Sequence, residues 1–262
     1  MGRYIVTGAA GGMGGAVCKA LYEAGHEVIG LDVSPSAEET PWRTVRADVT
    51  DPASVDAAFD IIGDPRGIDG IVHAAGLYGL DSLVEISEDE LLRIFNVNLF
   101  GVYRVNRRAV PLLNKGARIV IITSELAPLS PLPFTGLYAV TKKALDGYAA
   151  ALAAELQLIG CGVVVVRPGA VRTDMLPASV RALDSFCGGT KLYPVNARRF
   201  KKIVGRVEAR SVAPERVAGV IVGALKAKRP RLVYGINRNP LLLMLNALPR
   251  RLQLFIIRKL LS

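Results

Sequence analysis

Short apolar runs alternate with helix-length segments along almost the whole chain, and that alternation leaves few folds open. Arg3–Thr7, Glu27–Asp32, Trp42–Ala47, Ile68–Ala75, Arg118–Thr123, Val163–Arg167 and Arg231–Gly235 read as seven strands. Residues 14–24, a segment from Pro52, and residues 87–113, 138–158 and 214–227 read as the helices between them. Asp51 is placed to cap the helix that opens on Pro52, and Ser87-Glu-Asp-Glu90 has the form of a capping box. Strands that are apolar throughout belong to a parallel sheet covered on both faces. With no repeats or low-complexity linkers in 262 residues, and 51% of them apolar, one α/β domain is expected.

Charge is spread unevenly. Residues 190–262 carry 17 Lys/Arg against Glu208 and Glu215, a net of +15, while residues 1–189 net −5. An anionic membrane, nucleic acid or an acidic ligand would each suit such a region, as would a solvated basic face. No nucleic-acid-binding motif accompanies the charge, so nucleic acid is not an expected partner. Cys18, Cys161 and Cys187 form no disulfide framework and suit a reducing cytosol. His26 and His73 lack ligand spacing, and no metal is expected. The N-terminus runs into a strand without a secretory signal, so a cytoplasmic location is expected, with membrane association only through the tail.

The first strand leads into Thr7-Gly-Ala-Ala-Gly-Gly-Met-Gly14 and then a helix. Gly8, Gly12 and Gly14 allow a tight turn and close approach to a ligand, and the helix N-terminus favours a pyrophosphate. The spacing is Gly-x3-Gly-x-Gly rather than the commoner G-x-G-x-x-G. Asp32 ends the second strand 18 residues after Gly14, where a ribose-binding carboxylate is expected. Such a carboxylate repels a 2′-phosphate, and the loop has no Lys or Arg to hold one. NAD(H) is favoured over NADP(H).

Tyr138 and Lys142 lie four apart in a helical segment and share a face, 14 residues after Ser124. A phenol titrates near ~10, and a cation one turn away is expected to lower that value towards the working range.

With the glycine loop, Asn98, Ser124, Tyr138 and Lys142 all in order, the chain resembles the short-chain dehydrogenase/reductase family from residue 3 to about 235. Asp48 after the third strand, Phe95-Asn-Val-Asn98-Leu-Phe-Gly101 and Arg167-Pro-Gly169-Ala-Val-Arg-Thr173 carry the resemblance further. It implies a Rossmann-type, doubly wound parallel sheet of about seven strands with helices on both faces. It also implies catalytic roles: Tyr138 as general acid/base, Lys142 lowering its pKa and holding the nicotinamide ribose, and Ser124 binding the substrate oxygen. Asn98 would hold a relay water, Asp48 meet the adenine amino group and Thr173 the nicotinamide amide. Cofactor contacts are implied at Gly8, Gly12, Met13, Gly14, Asp32, Asp48, Val49, Ala75, Gly76, Tyr138, Lys142, Pro168, Gly169, Val171 and Thr173. The chain departs from the family at His73-Ala-Ala-Gly76, where Asn-x-Ala-Gly is common. His73 is expected to be a partly buried structural residue.

Residues 174–212 are expected to form a substrate lid, with Met175, Leu176, Val180, Leu183, Phe186, Leu192, Tyr193, Phe200 and Ile203 as its apolar side chains. Pro128-Leu-Ser-Pro-Leu-Pro-Phe134 forms a second apolar wall before Tyr138. An apolar secondary alcohol or ketone is the expected substrate. The layout is similar to the branch with 17β-hydroxysteroid and retinol dehydrogenases, which implies a steroid-like molecule. Residues 240–262 form a basic, amphipathic helical extension beyond the 1–239 domain. Packing on the chain's own cleft or a subunit interface is its first expected role, and an anionic membrane surface the alternative. Helices 87–113 and 138–158 form a dimer interface in the resembling family, so a homodimer or homotetramer is expected. Epimerase or dehydratase chemistry and a non-catalytic NAD sensor remain as alternatives to hydride transfer.

Overall fold

Seven parallel strands, β1 (Arg3–Thr7), β2 (Glu27–Asp32), β3 (Arg43–Arg46), β4 (Ile68–His73), β5 (Leu113–Ile122), β6 (Gly162–Pro168) and β7 (Val233–Ile236), lie in the order β3-β2-β1-β4-β5-β6-β7. A computed structural model describes the backbone of residues 1–34, 39–63, 66–173, 175–208 and 211–262, and their side chains outside 175–178 and 205–208. The helices are α1 (Gly12–Glu23), α2 (Pro52–Ile62), α3 (Glu88–Phe95), α4 (Gly101–Ala109), α5 (Gly136–Leu156), α6 (Met175–Gly189), α7 (Pro194–Glu208), α8 (Pro214–Lys226), α9 (Pro240–Ala247) and α10 (Arg250–Leu261).

Each strand presents alternate side chains to opposite faces. Ile5, Ile29, Ile71, Ile119 and Ile121 pack on one face with Phe59, Val105 and Leu145 of α2, α4 and α5. Val6, Val28, Val72, Val120 and Val164 pack on the other with Val17, Leu21, Val217 and Ile221 of α1 and α8. Both faces of the central strands are thus buried, which is why runs such as Ile119–Ile122 and Val163–Val166 are apolar at every position rather than at every second one, whereas the edge strand β3 buries only Val45. The order of connection reverses between β1 and β4, which opens a crevice at the carboxyl ends of the strands.

The expected helix over 87–113 runs without interruption from Glu88 to Ala109, and its middle is wound more loosely. A π-helical turn, Asn96–Phe100, joins α3 to α4, and a 3-10 turn over Val110–Leu112 follows. Pro111 lacks the amide that a continuing helix needs, and Leu113 already pairs with Ile68 in β5. Strand five therefore begins five residues before the Arg118 expected for it.

Residue 174, at the start of the expected lid, and the side chains of Met175 and Leu176 lie outside the described residues. The rest of the segment forms α6 and α7, which fold over the carboxyl end of the sheet. Leu80, Leu183, Phe186, Ala197, Phe200, Ile257 and Leu261 form a third buried cluster there, with α10 packed on α7. Phe134 sits at its centre, 4.6 Å from Phe186, 5.4 Å from Tyr193 and 5.5 Å from Phe200, ring centre to ring centre. Its φ of 67° is costly for an aromatic residue. The three rings hold it in place two residues before α5, which carries Tyr138. Glu85 ties the α6–α7 turn down, accepting from the amides of Lys191 (2.7 Å) and Leu192 (3.1 Å) and from the Thr190 hydroxyl (2.6 Å).

Candidate active site

Two cavities open along the crevice. One, of about 540 Å³, runs from the glycine loop past the ends of β2 and β3. Gly8 has φ +69°, and a Cβ there would lie 2.6 Å from the Ala75 amide nitrogen; a Cβ on Gly14 would lie 2.0 Å from the Gly8 carbonyl oxygen. Glycine is required at both, so the loop closes tightly and α1 begins without a side-chain cap. Its first amides are left for an anion. Of the expected cofactor positions, Gly8, Gly12, Met13, Gly14, Asp32, Asp48, Val49, Ala75, Gly76 and Thr173 all line this cavity. Asp32 accepts from the amides of Ala10 (3.0 Å) and Ser34 (3.1 Å), and Asp48 from the amide and hydroxyl of Thr50 (2.8 and 2.7 Å). Arg93, not foreseen as a site residue, also reaches this wall, its guanidinium held by two bonds to Glu90 of 2.6 and 2.7 Å.

The second cavity, of about 510 Å³, meets the first at Met13, Ala74, Gly76 and Thr173. Ser124, Tyr138, Lys142, Pro168, Gly169 and Val171 line it. The phenol of Tyr138 is 8% exposed, and the ring lies 5.0 Å from that of Tyr78. Burial pushes the phenol up to about 12, against a hydrogen bond with the Ser124 hydroxyl that pulls it down. Lys142 Nζ lies 5.6 Å from the centre of the Tyr138 ring and donates to the Ile122 carbonyl at 3.1 Å. Burial lowers the ammonium to about 8. The expected lowering of the phenol by its neighbouring cation is not seen: burial is the larger influence, and the hydrogen bond with Ser124 is what pulls the phenol down. The neutral phenol is the form that the site holds.

Asn98 projects from the π-helical turn and is fully buried. Its Oδ1 accepts from the Leu77 amide at 2.7 Å, and its Nδ2 donates to the Leu77 carbonyl (2.9 Å) and the Thr141 hydroxyl (3.0 Å). Gly76 lies between Asn98 and Lys142, since a Cβ there would be 3.3 Å from Asn98 Oδ1 and 3.5 Å from Lys142 Nζ. Asn98 therefore fixes the loop after β4 against α5, beside the lysine. The widened turn, common at functional sites, is what carries its side chain inward.

His73 is 2% exposed, more deeply buried than expected. Its Nε2 lies 2.8 Å from Asn106 Oδ1, and Asn106 in turn donates to the Tyr148 hydroxyl at 3.1 Å. Burial holds the imidazole down at about 4, neutral and away from both cavities.

Glu125 was not foreseen, although it is the only acid between Glu90 and Asp146 and directly follows Ser124. It is 7% exposed and lines the second cavity. Its Oε2 accepts from the Asn239 amide at 2.6 Å, which ties the strand-five loop to the start of α9. Burial raises its carboxyl above the usual carboxylate range, against that amide and the charge of Arg238. The remaining wall is apolar: Leu132, Phe200, Ile203 and Val204 from one side, and Leu241, Leu242, Leu245, Ile256, Ile257, Leu260 and Leu261 from α9 and α10.

The family model described as short chain dehydrogenase matches residues 3–183. A 3-ketodihydrosphingosine reductase of Bacteroides thetaiotaomicron is 29% identical over 229 residues, 86% of this chain and 84% of that one. Oxidoreductase UcpA of Escherichia coli K12 is 33% identical over 189 residues, 68% of this chain and 72% of its own. Among solved structures, an aldohexose dehydrogenase of Thermoplasma acidophilum superposes with a TM-score of 0.74 at 24% identity, covering 91% of this chain and 95% of that one. A short-chain dehydrogenase of Streptomyces avermitilis gives 0.73 at 25% identity, covering 90% and 87%. The glycine-loop cavity, the tyrosine–lysine turn and these matches agree, and the chain belongs to the short-chain dehydrogenase/reductase family of oxidoreductases.

Proposed function

We propose that this protein is an NAD(H)-dependent oxidoreductase that interconverts a secondary alcohol and a ketone on an apolar, lipid-like substrate. The observation that carries this reading is the second cavity, with Tyr138, Ser124 and Lys142 at one end and aliphatic side chains of the lid and tail around the rest. A wall of this kind favours a steroid or a long-chain keto compound over a sugar. Asp32 supports NAD(H), because a carboxylate at the ribose position accepts from two hydroxyls and repels a 2′-phosphate.

A bound nicotinamide supplies or accepts the hydride. In the reductive direction the neutral phenol of Tyr138 gives its proton to the oxygen of the ketone as negative charge grows there. The Ser124 hydroxyl donates to that same oxygen and is held in place by the Leu126 amide, which donates to it at 3.2 Å. Lys142 stabilises the phenolate left behind, an interaction that strengthens where water is excluded. Asn98 positions the loop and helix on either side of this lysine.

Residues 1–239 act in this reading as the catalytic unit with its lid at 174–212, and 240–262 as an extension that completes the cavity. Leu92, Phe100 and Tyr103, along with Val140 of α5, are large exposed apolar side chains on the helices expected to pair, which supports a homodimer or homotetramer. The test is nicotinamide absorbance with a panel of ketosteroids, 3-ketodihydrosphingosine, other long-chain ketones and aldoses. Turnover confined to aldoses or other small polar alcohols would overturn the reading.

A further inference from the structure

Helix α10 buries one side and exposes apolar side chains on the other. Gln253, Ile257 and Leu261, spaced four apart, face inward and are buried. The opposite side carries Leu252 and Phe255, 42% and 55% exposed, between Arg251 and Lys259. Lys259 Nζ lies 6.0 Å from the centre of the Phe255 ring, so cation and aromatic form one surface. Helix α9 adds Leu241 and Met244, 65% and 69% exposed, on one edge three residues apart. A helix whose inner face is already covered does not need these outer side chains for its own packing.

Two further observations say what covers them. Helices α9 and α10 carry Arg250, Arg251, Arg258 and Lys259 and no Asp/Glu. Leu241 and Leu260 are more than half exposed and also line the second cavity, so the exposed apolar surface of these helices reaches the cavity's rim. No described helix is long and apolar enough to cross a membrane. A basic helix with an exposed apolar face and too little length to span lies in the plane of an interface.

We infer that the outer face of α9 and α10 docks on an anionic lipid bilayer, with the rim of the cavity set against the acyl region. Leu252 and Phe255 enter the boundary, while Arg251 and Lys259 meet lipid phosphates on either side. An apolar molecule then passes between lipid and cavity without crossing water. This delivery role rests on the apolar-substrate reading; the docking itself does not.

The experiment is sedimentation of the full-length protein with vesicles of phosphatidylcholine alone and of phosphatidylcholine doped with phosphatidylglycerol, without substrate. Binding to the doped vesicles, lost on raising salt, is expected. Each Lys/Arg near such a surface contributes about a fivefold factor in affinity, so Arg251→Glu with Lys259→Glu should cut binding by well over tenfold. Phe255→Ser should weaken it with both charges retained. These side chains are exposed, so the variants should keep the wild-type melting temperature and their turnover of a short, water-soluble ketone. Equal binding of wild type and variants, or no binding to doped vesicles, overturns the docking. Light scattering that shows a larger assembly broken by Phe255→Ser would assign the face to a second copy of the chain instead, and also overturns it. Vesicle binding with no ketone turnover would leave the docking standing and remove the enzymatic reading.

Discussion

Replacing Tyr138 with Phe removes one oxygen from the centre of the second cavity and leaves almost everything else. The ring remains packed 5.0 Å from Tyr78 and beside Lys142, and helix α5 keeps its buried face. The one hydrogen bond lost is that with Ser124, whose hydroxyl still accepts from the Leu126 amide. A neutral hydrogen bond of this kind is worth about 1 kcal/mol, which lowers the melting temperature by a few degrees at most. The kinetic loss should be far larger. Positioned proton transfer contributes about 10²- to 10⁴-fold, or roughly 3–5 kcal/mol of barrier. Glu125, the nearest alternative acid by sequence, holds the Asn239 amide through one oxygen, and Glu125→Gln tests its share. Ketone reduction followed by nicotinamide absorbance should therefore fall at least about 100-fold in kcat/KM, with nicotinamide affinity, followed by fluorescence, unchanged. A loss under about tenfold would show that another group supplies the proton, and the assignment of Tyr138 would be wrong.

Four further outcomes are expected. Asp32→Ser removes the carboxylate that disfavours a 2′-phosphate and should shift the NADP/NAD ratio of kcat/KM by about tenfold or more; an unchanged ratio would place the discriminating group elsewhere. Lys142 titrates at about 8, so ketone reduction should decline as pH rises through that value, whereas Lys142→Arg, which keeps its charge, should lose that limb if it remains active; a profile flat to pH 10 would refute the electrostatic role. His73 is held at about 4 against an unfolded value near 6.5, so its contribution is fully present above pH ~6.5 and is lost as pH falls towards ~4, about 3 kcal/mol in all; urea midpoints of His73→Asn should depend less on pH across that window, and identical slopes would count against it. Tyr103→Glu, on the exposed side of α4, should drive a dimer or tetramer towards monomer by light scattering, and an unaltered mass would exclude that helix from the interface.

The parts of the fold legible in the sequence are those where each residue answers to one neighbour at a time. Strands buried on both faces show as continuous Ile/Val runs, and Gly8 and Gly14 are fixed by a backbone that leaves no room for a Cβ. Asp32, Ser124, Tyr138 and Lys142 stand at the ends of strands or at the start of a helix, where position along the chain already sets position in the crevice. What was not legible depends on how distant segments meet. The π-helical turn at Asn96–Phe100 has no Pro or Gly within it to announce it; Asn98 is drawn in by Leu77 and Thr141, one on a loop 21 residues earlier and one on a helix 43 residues later. The state of Tyr138 was misjudged for the same kind of reason. A cation one turn away argues for a lowered phenol, but both groups lie under a lid and a tail far along the chain, and burial there costs the charged form of each. Glu125 makes the point from the other direction. An acid at the end of an apolar strand reads as a solvated loop residue until Asn239 is brought against it. That contact joins the catalytic loop to the helices that roof the cavity. The Ser130 amide, which donates to Asn246 Oδ1 at 2.7 Å, makes a second such tie, and Glu125→Gln, which keeps the acceptor oxygen for Asn239, separates the first contact from its charge.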